Sequence, residues 1–124
     1  MKYAYSGYVY ILITVVLSTY GQVVLKWQMS KVAALPEGSL DKALFLTKLI
    51  FQPWIFSSFL AAFLASLAWM AALTKFELSF AYPFMSLSFV LVFLLGVTLL
   101  NETLTATKLI GTLIIFGGLI VLNR

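Results

Sequence analysis

Four stretches of the chain are apolar over a length that suits a membrane-spanning helix, and they lie at about residues 8–28, 54–73, 79–100 and 105–122. Such a helix needs roughly 20 mainly apolar residues to cross the hydrocarbon core of a bilayer. The 124 residues are 63% hydrophobic and only 10% charged, and a soluble fold of this size cannot bury that much apolar surface. The sequence therefore predicts an all-α membrane protein whose four transmembrane helices form a single domain over residues 1–124.

The segment between the first two predicted spans contains a shorter apolar run. Residues 40–51 combine Asp41, Lys42 and Lys48 with leucine and phenylalanine side chains, and about a dozen residues are too few to cross a bilayer. An amphipathic segment of this kind favours the membrane surface, so we expect a short interfacial helix here. Pro53 suits the first position of the next helix, where its missing backbone donor is harmless.

Short loops between the predicted spans require neighbouring helices to run antiparallel. The basic residues then divide between the two faces of the membrane, with Lys2, Lys75 and Arg124 on one face and Lys31, Lys42, Lys48 and Lys108 on the other. Cytoplasmic loops usually carry the excess of lysine and arginine, but three residues against four give little excess. The orientation stays open, and so does insertion in both orientations.

Several function classes have no support in the composition. The chain contains neither cysteine nor histidine and only four acidic residues, so we expect no metal site and no cofactor. We find no pair of carboxylates, nucleophile–base arrangement or glycine-rich phosphate loop, and we do not expect an enzyme. The net charge of +4 is spread without a basic run, which argues against nucleic acid and is sufficiently explained by anionic membrane lipids.

A polar stripe runs along the first predicted helix. Thr14, Ser18, Gln22 and Lys26 recur every four residues and share one face, and Gly21 beside them leaves room for a neighbour. Polar groups in hydrocarbon cost free energy unless they are hydrogen-bonded, so this face should point into the bundle or into a hydrated cavity. Two interpretations fit: a polar wall along a substrate path, or hydroxyls that bond to their own helix and to a neighbouring one.

Lys26 is the most informative single residue of the stripe. It lies about 27 Å along the helix from Tyr8, close to the far membrane interface, where it can either bind a ligand or extend its ammonium group into water. Glu102 leaves the third span on the same face of the membrane. It can pair with Lys26, or it is a solvated acid near the favourable N-terminal end of the fourth helix.

The last two predicted spans carry further candidate positions. Tyr82, Pro83 and Ser86 follow one side of the third span, where the proline either permits a bend during transport or only shapes the helix start. Gly111 and Gly118 are seven residues apart on the fourth span and share a face. Small residues let helices approach closely, so these glycines are a candidate dimer contact.

Taken in order, these motifs resemble the drug/metabolite transporter superfamily. They are Ser18-Thr19-Tyr20-Gly21-Gln22-Val23-Val24-Leu25-Lys26, Ala81-Tyr82-Pro83, Asn101-Glu102 and the segment from Gly111 to Gly118. The chain is most similar to the four-helix members, which are the small multidrug resistance proteins and the EamA-type subunits that flip aminoarabinose linked to undecaprenyl phosphate. The resemblance covers nearly the whole chain outside residues 32–53.

Two positions distinguish these groups. Small multidrug resistance proteins carry a membrane-embedded glutamate at the position that matches Ser18, and a tryptophan at the position that matches Met85. The flippase subunits instead share the Gly-Gln pair of the first helix, the Ala-Tyr-Pro-x-x-Ser-Leu run of the third, and the glutamate that follows it. With Ser18 from the stripe, the resemblance implies a substrate site at Gly21, Gln22, Lys26, Tyr82, Pro83, Ser86 and Glu102.

The leading hypothesis is a flippase of the bacterial inner membrane for a polyprenyl-phosphate-linked sugar or a related anionic lipid. It would work by alternating access as a dimer, either with itself or with a sister subunit. One alternative is an exporter of drugs or metabolites similar to the small multidrug resistance proteins. A second is a membrane subunit that anchors a glycosyltransferase and transports nothing.

Overall fold

The structure is a computed structural model that describes the backbone of residues 2–32 and 34–124 and the side chains of residues 5–32 and 34–124. All regular elements in these residues are helical. They are α1 (Lys2–Met29), α2 (Ser39–Ile50), α3 (Pro53–Leu73), α4 (Leu78–Ala81), a 3-10 helix (Tyr82–Met85), α5 (Ser86–Leu99) and α6 (Ala106–Leu122). The prediction of an all-α chain is confirmed for the described residues.

Within the described residues, three helical segments are long and apolar enough to cross a membrane: Tyr5–Met29, Pro53–Leu73 and the continuous run Leu78–Leu99. The fourth apolar helix, Ala106–Leu122, has 17 residues. At about 1.5 Å per residue it is about 25 Å long, at the lower limit for a span. The fourth crossing therefore stays a prediction, as does the surface position of α2, which the structure shows as a helix without buried residues.

Helix α1 lies at the centre of the fold and packs mainly against α3 and, on another side, against α5. Its first turns contact the end of α3, where Gly7 lies against the Phe76 ring. At its other end, the Trp27 and Trp54 rings meet edge to face with their centroids 5.4 Å apart. Helices α1 and α3 are therefore antiparallel, as the predicted alternation of the spans requires.

The ends of the other helices follow the same alternation. The Tyr8 hydroxyl donates to the Asn123 side-chain oxygen at 3.3 Å, which places the end of α6 beside the start of α1. Lys75 follows α3 at this end, and its Cβ lies close to Gly7. The Lys31 ammonium stands 4.2 Å from the Trp27 ring centroid at the opposite end. The Lys2 side chain, assigned to the first face from sequence, lies outside the described side chains.

Pro83 interrupts the third apolar segment. A proline has no backbone donor, and its ring collides with the carbonyl four residues earlier in an α-helix. The helix accordingly tightens into 3-10 geometry over Tyr82–Met85 between α4 and α5. The predicted irregularity at Pro83 is therefore present, close to the start of the segment.

Small side chains set the closest helix contact. A Cβ placed on Gly21 of α1 would lie only 3.0 Å from the backbone oxygen of Ser58 in α3. Ala61 and Ala65 continue the buried face of α3. Because these side chains are short, the two backbones approach closely along this face, and the larger residues of both helices are left to form the walls of a cavity beside it.

We expect Gly21→Val to lower the free energy of unfolding in detergent micelles by about 1–3 kcal/mol, the usual cost of overpacking, because the added methyl groups meet the α3 backbone. Denaturant titration followed by circular dichroism measures this change. The matched control is Gly117→Val in α6, where a Cβ meets no described atom within 4 Å. Equal losses of unfolding free energy in the two variants would contradict the close contact at Gly21.

Candidate functional site

A cavity of about 390 Å³ opens between α1, α3 and the 3-10 helix. Its walls combine polar, small, apolar and aromatic side chains, and the lining residues are Thr14, Ser18, Gly21, Gln22, Leu25, Ser58, Phe59, Ala62, Ala65, Ser66, Trp69, Tyr82 and Met85. The volume lies in the usual range for small-molecule pockets of about 300–1,000 Å³. Several lining side chains are exposed, among them Gln22, Phe59 and Tyr82, so the cavity is accessible to a ligand.

Part of the polar lining is already satisfied by the helix backbones. The Thr14 hydroxyl donates to the Tyr10 carbonyl at 2.8 Å and lies 3.4 Å from the Ala65 carbonyl of α3. The Ser58 hydroxyl donates to Ile55 O at 2.6 Å. The second interpretation of the stripe therefore describes Thr14, because its hydroxyl bonds to its own helix and approaches a carbonyl of the neighbouring one.

Ser18 and Gln22 differ from these satisfied groups. Among the described residues the structure gives neither side chain a hydrogen-bond partner, and Ser18 is half-buried while Gln22 is exposed. An unpaired polar group next to hydrocarbon is costly unless water or a ligand completes its hydrogen bonds. Within the cavity lining, these two side chains are therefore the groups of the α1 stripe that remain able to bind a ligand.

Aromatic rings form the opposite wall of the cavity. The Trp69 ring of α3 and the Tyr82 ring meet edge to face with centroids 6.2 Å apart. Tyr82 remains 65% exposed, so much of its ring is available to a ligand. The 3-10 geometry at Pro83 holds Tyr82 at the start of the third apolar segment, beside the cavity rather than in the hydrophobic core.

The structure brings together four of the eight substrate positions predicted from sequence. Ser18, Gly21, Gln22 and Tyr82 line the cavity. The lining does not include the other four, which are Lys26, Pro83, Ser86 and Glu102. Pro83 and Ser86 are half-buried neighbours of lining residues on the same chain segment.

Lys26 lies one helical turn beyond Gln22, about 6 Å farther along the axis of α1. Its side chain is exposed, and within the described residues it has neither a hydrogen bond nor an ion pair. The ammonium group thus lies on the same stripe as Ser18 and Gln22 but beyond the cavity lining. Its four-carbon stem allows it to reach either back toward the cavity rim or out to the interface.

Glu102 takes a different position from the ion pair considered from sequence. Asn101 adopts a left-handed conformation with φ of 55° and turns the chain back over the end of α5. The Glu102 amide then donates to Gly96 O at 3.0 Å. Its carboxylate lies so close to Gly96 that a Cβ there would be 2.6 Å from Oε2. No ion pair joins Lys26 and Glu102 in the described part of the chain, because this turn directs the acid onto α5.

The glycines of α6 lie away from this cavity. A Cβ on Gly111 or Gly118 would meet no described atom within 4 Å. The glycine face of α6 is therefore unoccupied within the described chain, and its use as a dimer contact stays a prediction. No group of three side chains able to hold a metal ion occurs among the described residues.

Sequence reasoning missed the apolar members of the cavity wall, above all Leu25, Phe59 and Met85. A leucine or phenylalanine in an apolar helix carries no sign of whether it faces lipid, a neighbouring helix or a cavity. One signal was present: Leu25 lies beside the Gln22–Lys26 turn, within the polar side of α1. Helical spacing alone places it among the residues of the stripe.

Comparison with known proteins finds several relatives over nearly the full length. A probable 4-amino-4-deoxy-L-arabinose-phosphoundecaprenol flippase subunit ArnF of Erwinia tasmaniensis is 36% identical, covering 94% of this chain and 93% of the relative. The subunit of the same name in Aeromonas hydrophila is 35% identical over 97% of this chain and 81% of its own. The subunit of the same name in Serratia proteamaculans is 31% identical, covering 94% of this chain and 92% of the relative. No family model and no solved structure matches the chain.

Because the natural chain has no cysteine, single-cysteine variants can test whether the cavity is hydrated. We expect Ser18→Cys and Gln22→Cys to react at least about tenfold faster with a membrane-impermeant thiol reagent than Leu12→Cys, since the reactive thiolate forms only where water is present. Leu12 is 59% exposed on another side of α1 and serves as the control. Labelling rates in membrane vesicles measure the difference, and equal rates would show that the cavity excludes water.

Proposed function

Because this chain belongs to the ArnF family of 4-amino-4-deoxy-L-arabinose-phosphoundecaprenol flippase subunits, we propose that it moves a sugar linked to undecaprenyl phosphate across the bacterial inner membrane. The observation that carries this proposal is the open cavity between α1 and α3 with two unpaired polar groups, Ser18 and Gln22. A lipid flippase needs a site that shelters a polar headgroup while the tail stays in the bilayer. A cavity between two apolar helices with exposed residues in its lining suits both needs.

The headgroup is sheltered by hydrogen bonds along α1. Ser18 and Gln22 offer donors and acceptors to the hydroxyl groups of a sugar. Lys26, one turn beyond, supplies the cation for the phosphate, and a charge-assisted bond of this kind is stronger than one between neutral groups. Within this arrangement the phosphate lies toward the interface and the sugar reaches into the cavity.

The aromatic wall suits the amino group that the relatives' names specify. An amine of this kind is cationic near neutral pH, and a cation within about 6 Å of a tyrosine or tryptophan ring centroid is attracted by the ring face. Tyr82 and Trp69 offer such faces opposite the α1 stripe. An amino sugar is therefore held between hydrogen-bonding groups on α1 and aromatic rings on the other wall.

Translocation requires the cavity to open to each side of the membrane in turn. We assign this movement to rocking of paired helix bundles, with the fourth apolar helix as a span and the face of Gly111 and Gly118 as the contact with a second subunit. The 3-10 segment at Pro83 is a suitable place for the third span to bend. A partner on the glycine face leaves the α1–α3 cavity accessible to the lipid.

The exporter alternative has weaker support. Proton exchange against cationic drugs needs a titratable acid within the membrane, and the spans Tyr5–Met29, Pro53–Leu73 and Leu78–Leu99 contain neither aspartate nor glutamate. Glu77 and Glu102 lie outside these segments. A phosphate-bearing lipid instead requires a cation near the cavity, which Lys26 supplies.

We expect Lys26→Ala to slow translocation of the lipid-linked amino sugar at least about tenfold, and Lys26→Arg to keep most of the rate, because the phosphate requires a positive partner. The assay measures access of an impermeant amine reagent to the lipid in vesicles that hold the protein. Lys108→Ala is the control, since Lys108 lies at the same membrane face and its ammonium donates to Thr103 O at 3.1 Å. A normal rate with Lys26→Ala would refute the phosphate site.

We expect Gly118→Leu to lower the fraction of associated subunits about tenfold, because a large side chain prevents close approach of the paired helices. Fluorescence energy transfer between labelled subunits in vesicles measures association. Ala106→Leu is the control, since Ala106 is exposed on the same helix but lies on a different face. Unchanged association in Gly118→Leu would exclude the α6 glycines from the subunit contact.

A further inference from the structure

We propose that a second, apolar cavity holds the part of the prenyl chain nearest the phosphate, and that α2 forms its outer wall; this inference rests on the proposed function. The cavity measures about 250 Å³ and lies between α2 and the α1–α3 pair. Leu46, Leu49 and Ile50 of α2 face Met29 and Ile55 across it. Every side chain of its lining is aliphatic, aromatic or a thioether, so nothing there holds water in place.

The two cavities share a wall. Leu25 of α1 and Phe59 of α3 line both the polar cavity and this apolar one. A ligand that bridges them must be polar at one end and apolar immediately beyond it. A sugar phosphate joined directly to a prenyl chain has this arrangement, with its polar part toward Gln22 and its apolar part toward α2.

Charge at the boundary supports the same occupant. Lys26 lines neither cavity but directly follows Leu25 in α1, so a lysine lies next to a residue of their shared wall. On α2, Lys42 precedes Leu46 by one turn and shares its side of the helix. The long stems of these two lysines allow their ammonium groups to reach toward a phosphate held between the polar and the apolar lining.

The chemistry of the lining favours a hydrocarbon chain as the occupant. No lining side chain offers a hydrogen-bonding group to the backbone of a protein segment. The helix α2 has no buried residue, so it covers the cavity without closing tightly on α1 and α3. A single flexible hydrocarbon chain fits this space, and the rest of the prenyl chain continues into the bilayer.

Photolabelling of the full chain in vesicles, together with any partner subunit it requires, tests this assignment. The probe is the undecaprenyl-phosphate-linked amino sugar with a diazirine on the isoprene unit next to the phosphate. The matched probe carries the diazirine on the terminal unit. We expect the first probe to label Leu46, Leu49 or Ile50 at least about tenfold more than the second, as read by peptide mass spectrometry. Equal labelling of α2 by both probes would overturn the proposal.

A variant pair sharpens the test. Leu49→Trp fills the cavity and should reduce labelling of α2 by the first probe about tenfold. Leu44→Trp, on another side of α2 and 53% exposed, should leave it unchanged. Equal labelling of Leu49→Trp and the natural chain would also overturn the proposal. If Leu49→Trp does not accumulate in the membrane, the two probes on the natural chain still decide the question.

Translocation measured in the same vesicles separates this inference from the proposed function. Normal translocation without preferential α2 labelling would overturn the chain site and leave the flippase assignment intact. Preferential α2 labelling without translocation would support the chain site and count against the flippase assignment. The absence of both would overturn both.

Discussion

The structure depends on one constraint: polar groups next to hydrocarbon must find hydrogen-bond partners. Backbone groups meet it by forming helices, and Thr14 and Ser58 meet it by donating to helix carbonyls. Ser18 and Gln22 do not, and both line the same cavity. Buried polar atoms of Thr19, Gln28 and Ser88 also lack a partner among the described residues, but these residues do not line the cavity. Ser18 and Gln22 are therefore the unpaired groups to which the proposed function assigns a ligand.

Helix α1 combines packing and binding because its sides differ. Gly21 allows close contact with the α3 backbone, and Ile11 and Val15 enter the hydrophobic core. The neighbouring side carries Ser18 and Gln22 into the cavity. Close packing and an open cavity are compatible because the small residues that bring α1 and α3 together occupy only one strip of each helix.

The end of the fold near Lys26 brings together the features that a charged lipid requires. The Trp27 and Trp54 rings meet there, and Lys31 lies over Trp27. Amphipathic aromatic and basic side chains favour the membrane interface. Helix α2 lies at the same end, so it stands near the predicted phosphate site.

By itself, the sequence determined the helical class, the approximate limits of the apolar segments, the helix between residues 39 and 50, the polar stripe on α1 and the family. These follow from composition and local periodicity, which act within one helix. Only the tertiary structure decided that Ser18 and Gln22 share a cavity with Tyr82 and Trp69, and that Leu25 and Phe59 separate it from an apolar neighbour. It also decided that Glu102 folds onto Gly96 instead of pairing with Lys26. The physical reason is that an apolar side chain looks the same in sequence whether it meets lipid, another helix or an empty space, and a turn such as Asn101 redirects a charge in a way that residue spacing does not record.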